Sequence, residues 1–330
     1  MDKKLVLVVD EMSEKTKEIT RHKIDPSAEI VFSDSDPAVN EKYMAGAAVL
    51  ITSTRGISPD MLAKAVNCRY IQKYGSGTNN IAVKEASARK IPVGAAVGGN
   101  ARSVAEYALA MALAVYKHLI QSHNALRQEG RWLRTLLCDQ NYELSGKKVG
   151  IVGFGSIGKT LRRLLRGFDC DVSYNDAQRL SAAEESVQEV VYMELDDIMR
   201  SCDLVSLHCP LLPETRGMID ARRIGLMKPT SVLINCARGG VVNETALYDA
   251  LKERRILGAA VDNYETEPIG KDHPFTGLDN VLLSPHNAGG TVESMEAIAA
   301  RAAKNINSIL ASGITACPED LVNRADLGKH

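Results

Sequence analysis

The sequence predicts an α/β protein made of two doubly wound units, the first interrupted by the second. Three observations predict it. Short apolar runs alternate with helical stretches through the amino-terminal third. A glycine turn with an apolar run before it and a helix after it stands near the middle, at Gly153–Gly158. The alternation then resumes and closes on a second long helical stretch.

In chain order, Leu5–Val9 is an apolar run between Lys4 and Asp10. It reads as a first strand and is too short for a signal peptide. Further strands are expected at Glu29–Phe32, Ala48–Thr52, Tyr70–Lys73 and Pro92–Gly94. Helices are expected between them, as at Pro59–Val66 and Val83–Arg89. Such alternation specifies a parallel sheet with helices on both faces. Asn100 to Gln128 reads as one long Ala-rich helix, capped by Asn100 or Ser103. Its apolar stretch, Ala108–Val115, is too short to span a bilayer.

The central turn is G-x-G-x-x-G in its strand–turn–helix context. Lys148–Val152 leads into Gly153-Phe154-Gly155-Ser156-Ile157-Gly158, and Lys159–Phe168 continues as a helix. The first glycine permits the tight turn, the second lets a pyrophosphate reach the backbone, and the third lets helix and strand pack closely. Free N–H groups of Ser156, Ile157 and Gly158 at the helix start, with its positive dipole end, suit phosphates. A second short strand, Asp171–Tyr174, ends near Asp176. That is close to the ~20-residue spacing of an acid on the adenosine ribose hydroxyls. The pattern points to a Rossmann-like unit that binds NAD. Strands follow at Val190–Tyr192, Leu204–His208, Ser231–Asn235, Gly258–Asp262 and Val281–Leu283. The final helix, Thr291–Ser312, is expected to return to the first unit. The expected division is residues 1–99 with 288–330 for substrate and 100–287 for the nucleotide.

Composition fits an enzyme and excludes other classes. Of 330 residues, 45% are hydrophobic and 25% charged, with a net charge of −1. No global field draws the chain to nucleic acid or an anionic membrane. Seven scattered cysteines without a C-x-x-C suggest neither a disulfide framework nor a metal site. Buried free thiols point to the cytoplasm.

Three polar residues close the second series. Arg238, Glu267 and His286 each follow an apolar run, near the carboxyl end of an expected strand. Ligands bind at that edge of open α/β sheets. A cation, a carboxylate and an imidazole there could bind an anionic substrate and move one proton. Glu265, two residues from Glu267, is an alternative carboxylate.

These segments resemble the D-isomer-specific 2-hydroxyacid dehydrogenases along nearly the whole chain. The resemblance rests on Leu144–Gly150 before the glycine turn and on Leu207-His208-Cys209-Pro210-Leu211 with Glu214-Thr215-Arg216. It rests also on Met227-Lys228-Pro229, on the Arg238 and Glu267 motifs, and on Ser284-Pro285-His286. Gly75-Ser76-Gly77-Thr78 resembles the family's carboxylate-binding loop, and Asn100–Glu106 its interdomain helix start. The resemblance implies an NAD-driven 2-oxoacid/D-2-hydroxyacid couple. Arg238 would hold the substrate carboxylate or keto oxygen, because its planar fork donates two hydrogen bonds and stays charged. His286 would pass a proton to and from the carbonyl oxygen, and Glu267 would orient its ring. Ser76 and Gly77 would cradle the carboxylate. Asp262 would meet the nicotinamide carboxamide, and Val104 would wall its ring. His208, Cys209, Pro210, Thr215, Cys236 and Ala237 would line the cofactor, the His208 side chain being structural. A homodimer paired through the cofactor units is also implied.

Some departures bear on substrate. Ile51-Thr52-Ser53-Thr54 stands where phosphoglycerate-specific relatives carry an arginine, with Arg55 displaced. Glu267 occupies the position of a glutamine in the formate-oxidising branch. Tyr107 stands where many members have histidine. Phosphite oxidation and an NAD-sensing, corepressor-like binding role remain as other readings of the same residues.

Overall fold

The computed structural model describes residues 4–328. Met1–Lys3 of the amino-terminal reading, and Lys329 and His330 of the returning segment, lie outside the described residues. The chain divides into two compact units, Met1–Asn100 with Gly290–His330 and Ala101–Gly289.

The first unit holds β1 (Leu5–Val8), β2 (Glu29–Phe32), β3 (Ala47–Thr52), β4 (Tyr70–Lys73) and β5 (Val93–Ala95). They form one parallel sheet in the order β2-β1-β3-β4-β5. Side chains alternate between its faces, as a strand requires. Val6, Val8, Val49 and Ile51 pack against the final helix, Val292–Ser312, through Ile298, Ala302 and Ile306. Leu7, Leu50 and Ile71 face Leu62 and Ala86 on the other side. The final helix starts where a capping box can form, between Thr291 and Ser294, and ends at Gly313 in the left-handed region. Its return to the first sheet is the expected one.

The second unit holds β6 (Lys148–Val152), β7 (Asp171–Asn175), β8 (Val191–Tyr192), β9 (Leu204–Leu207), β10 (Val232–Asn235), β11 (Gly258–Val261) and β12 (Val281–Leu283). Their order is β12-β11-β10-β9-β6-β7-β8, again parallel. Order reverses beside β6, so a crevice opens between the carboxyl ends of β6 and β9. Central strands are apolar on both faces because helices cover both. Val149 and Ile151 pack with Met111 and Ala112, while Val205 and Leu233 pack with Ile198 and Leu247.

One element departs from expectation. Asn100 to Gln128 is not a single helix but two, Ala101–Tyr116 and Leu119–Glu129. His118 between them has φ +46°, a left-handed conformation that breaks the i to i−4 ladder. Ala-rich periodicity carries no signal for such a one-residue break. Other boundaries shift by one to three residues, mostly as fraying does.

Candidate active site

The glycine turn joins β6 to the helix Ser156–Leu165. Gly153 has φ +91°, and a Cβ there would lie 2.5 Å from the Cys209 nitrogen. A Cβ on Gly158 would lie 2.5 Å from the Gly153 carbonyl oxygen. A Cβ on Gly155 would meet nothing within 4 Å. Two glycines are thus needed by the fold, and the middle one faces open space, where a pyrophosphate would approach. No side chain caps the helix, so its first N–H groups, from Ser156 onward, are left for a ligand.

Asp176 braces this turn. Its Oδ2 accepts from the Phe154 N–H at 2.6 Å, and its Oδ1 from the Gln178 N–H at 2.9 Å. Arg179, three residues after Asp176, is engaged elsewhere. It donates to Glu185 at 3.1 Å and lies 4.8 Å from the Tyr192 ring centre.

The facing wall begins at β9. His208 and Cys209 touch the turn through their backbone, at Gly153. The His208 ring points to Ser206 Oγ, with Nε2 at 2.8 Å. Its Nδ1 is sealed from solvent without a partner. Burial holds the ring down at about 4, so it stays neutral near pH 7. Thr215 Oγ donates to the Pro210 carbonyl and accepts from the Leu212 N–H, each at 2.7 Å, closing the loop after Pro210. Cys236 turns its thiol inward to Met111, and burial raises the pKa of that thiol. Val104 is 5% exposed, in the same apolar cluster as Cys236 and Phe154.

Arg238 leaves β10 through a tight passage. Asn235 Oδ1 accepts from the Ala237 N–H at 3.1 Å, and Arg238 Nη1 donates to the Ala237 carbonyl at 2.6 Å. Gly239 is required there, since a Cβ would sit 1.8 Å from the Tyr264 carbonyl oxygen. Burial lowers the pKa of the Arg238 guanidinium, while the Glu267 and Asp262 carboxylates oppose that shift. The group stays charged at any working pH.

His286 and Glu267 meet directly. The His286 Nδ1–H donates to Glu267 Oε2 at 2.8 Å, since a carboxylate can only accept. Glu267 Oε1 accepts from the Tyr264 N–H at 2.9 Å, which fixes the carboxylate. Glu265 is exposed, and its N–H donates to Glu244. Geometry therefore pairs His286 with Glu267 and not with Glu265. His286 itself has φ +53°, which costs on the order of 1 kcal/mol for a residue with a Cβ.

Asp262 offsets that strain. Its Oδ1 accepts from the Asn287 N–H at 2.8 Å and from Ser284 Oγ at 2.6 Å, and its Oδ2 from the Ala288 N–H at 3.1 Å. Tyr107 donates to Ser284 Oγ at 2.7 Å, which gives the residue standing in place of histidine a structural job. Tyr264 adds a hydroxyl donating toward the Ser284 and Val261 carbonyls, each at 3.0 Å. Ser284 lies in a segment that carries the family resemblance, and Tyr107 is a departure from it, but in the sequence neither shows its partner. Asn235 and Tyr264 carry no charge, and their support of the Arg238 and Glu267 segments shows only in the fold.

The loop Gly75–Thr78 belongs to the first unit. It leaves β4, with Gly75 at φ +123°. Among the described residues, the N–H groups of Ser76 and Gly77 donate to no protein acceptor. Lys73 reaches the Ser53 carbonyl and Asn80 Oδ1, and Asn80 Nδ2 reaches the Thr54 carbonyl at 2.8 Å. Buried Asp10 accepts from the Ser53, Thr54 and Arg55 N–H groups. Arg55 Nη1 is bound to the Ser35 carbonyl at 2.5 Å.

Comparison with known proteins gives the family. Residues 109–288 match the model for "D-isomer specific 2-hydroxyacid dehydrogenase, NAD binding domain". Glyoxylate reductase of Pyrococcus furiosus is 37% identical over 81% of this chain and 80% of its own length. That of Thermofilum pendens is 35% identical over 84% of this chain and 81% of its own length. The solved NAD-dependent formate dehydrogenase of Staphylococcus aureus, in complex with NAD, superposes with a TM-score of 0.81 at 26% identity. It covers 94% of this chain, which covers 96% of it. Matched by that model over more than half its length, and by relatives above 30% identity over most of theirs, the chain belongs to the D-isomer-specific 2-hydroxyacid dehydrogenase family.

Proposed function

We propose that this protein reduces a small 2-oxoacid of the glyoxylate and hydroxypyruvate class to the D-2-hydroxyacid, with His286 as proton donor. NAD-dependent interconversion of 2-oxoacids and 2-hydroxyacids is the activity of its family. The observation that carries the role of His286 is its bond to Glu267. One ring nitrogen is committed to the carboxylate at 2.8 Å, and the other has no partner among the described residues. That leaves Nε2 to face the reacting oxygen.

NADH, which the glycine turn and Asp176 would hold, would supply the hydride for the carbonyl carbon. The protein's own part is to hold, orient and move a proton. Arg238 pulls charge toward the carbonyl oxygen or holds the carboxylate, as a half-buried, permanently charged fork can. His286 Nε2 gives its proton to that oxygen as the C–O bond becomes single. Glu267 keeps the Nδ1–H tautomer and steadies the imidazolium. Asp262 holds the segment after His286, and a free lone pair on Oδ2 can accept from the nicotinamide carboxamide. Ser76 and Gly77 offer N–H groups to a substrate carboxylate. Val104, Cys209, Pro210, Thr215, Cys236 and Ala237 are assigned to the cofactor's surroundings, and His208 to its backbone support.

Substrate size follows from Arg55. Its guanidinium is bound to the Ser35 carbonyl, and no arginine occupies the stretch Ile51–Thr54. A distal phosphate then lacks its fork-shaped partner. kcat/KM for glyoxylate and hydroxypyruvate should exceed that for phosphohydroxypyruvate. A preference for the phosphorylated substrate would overturn the size assignment.

Cofactor choice follows from Asp176 and Arg179. The carboxylate repels a 2′-phosphate, and the guanidinium is taken by Glu185 and Tyr192. Steady-state kinetics should give a higher kcat/KM with NADH than with NADPH. The reverse order would remove Asp176 from the ribose site.

Glu267→Gln should lower the rate of reduction, because the ring loses the carboxylate that holds it by Nδ1–H. Glu265→Gln should leave the rate alone. If the two variants behaved alike, Glu267 would lose its role.

Assembly is proposed as a homodimer in the cytoplasm. Leu119, Ile120 and Leu126 are about half exposed on Leu119–Glu129, and Trp132 and Leu136 more so just beyond. Leu137, by contrast, is buried. Such a patch is a liability on a monomer. The seven cysteines are free thiols, as a reducing compartment keeps them. Light scattering should return a dimer, and Trp132→Asp should shift it toward monomer. A wild-type monomer at micromolar concentration would contradict the proposal.

A further inference from the structure

The first unit carries a cavity of about 990 Å³ at the amino-terminal edge of its sheet. It is lined by residues just before β4, just before β5 and after the final helix. The loop holding Ser76 and Gly77 leaves the opposite, carboxyl end of β4. Ile91, Ile309, Leu321 and Leu327 give the cavity an apolar lining, with Ile314 contributing at 60% exposure.

Its charge is one-sided. Arg69, Arg89, Lys90 and Arg324 line it, and no acidic side chain does. Arg89 caps the end of Pro59–Lys64 through the Leu62 and Ala65 carbonyls. Lys90 reaches the Asp326 carbonyl at 2.7 Å. Neighbouring acids are committed elsewhere: Glu319 and Asp320 to Arg301, and the Asp326 carboxylate to Ser87 at 2.9 Å. The Arg69 and Arg324 guanidinium groups bond to no protein acceptor among the described residues. Two uncommitted arginines around an apolar recess form an unbalanced arrangement. Both arginines are exposed at the rim, so an anion gains from pairing with them only where the apolar wall also holds it. A purely apolar ligand would leave them unpaired, and a purely polar anion would waste the apolar wall.

We propose that this cavity is a second small-molecule site, taking an amphipathic monocarboxylate: one carboxylate for Arg69 and Arg324, and an apolar ring or chain for the isoleucine and leucine wall. No covalent step is involved.

The test is calorimetric titration of the full chain with 2-naphthoate, with naphthalene-2-carboxamide as the uncharged match. Saturable binding of 2-naphthoate is expected, with the amide far weaker and affinity falling as salt rises. Arg69→Glu with Arg324→Glu should weaken binding by roughly tenfold or more, while glyoxylate turnover stays at the wild-type level. Arg69→Gln with Arg324→Gln should fall between, which separates lost attraction from a damaged fold. Absence of saturable binding at millimolar probe would overturn the proposal. So would equal affinity for the amide, or an affinity that neither pair of substitutions changes.

Discussion

His286→Gln lowers kcat for 2-oxoacid reduction by roughly 10²–10⁴-fold, the usual worth of a positioned acid–base group. Glutamine keeps a polar side chain of similar reach but cannot deliver a proton from a cationic nitrogen. NADH affinity hardly changes, because the glycine turn and Asp176 that would hold the nucleotide are untouched. Quenching of Trp132 fluorescence, the single tryptophan, or direct calorimetry measures that affinity. Near-normal turnover would take His286 out of the mechanism. A parallel collapse of NADH binding would mean that the change had disturbed the fold. His286 has φ +53° and sits just before two N–H groups held by Asp262, so glutamine is preferable to a β-branched replacement.

Arg238→Lys lowers kcat/KM by roughly 10²–10³-fold, the scale for loss of one well-aimed donor in a desolvated site. Charge is retained, so the loss isolates geometry. An ammonium cannot reproduce two parallel N–H bonds, nor the contact of Nη1 with the Ala237 carbonyl. A lysine buried there is also free to neutralise, as an arginine is not. The expected signature is a fall in both kcat and kcat/KM with the pH profile distorted on its alkaline side. Full activity in Arg238→Lys would show that a point charge suffices and would refute the fork.

Much of this architecture was legible because strands and helices have different periods. Tyr70–Lys73 and Val281–Leu283 fall where the apolar runs place them, and Glu29–Phe32 does too. The glycine turn was legible because each glycine meets a distinct steric demand, now visible as clashes at Gly153 and Gly158 and open space at Gly155. The break at His118 was not, because a single left-handed residue leaves the Ala-rich pattern intact. Nor was the support around His286. Asp262, Ser284 and Tyr107 join over long sequence separations, and only the sheet order brings β11 and β12 side by side to do it. The choice between Glu265 and Glu267 turned on a loop geometry in which the Tyr264 N–H fixes the second carboxylate.

D-specific, NADH-linked reduction of a small 2-oxoacid is tested most directly by incubating the purified protein with NADH and hydroxypyruvate and determining the chirality of the glycerate formed, alongside NADH consumption. One D-glycerate is expected per NADH consumed. Formation of L-glycerate, or no NADH consumption with either hydroxypyruvate or glyoxylate, would contradict it.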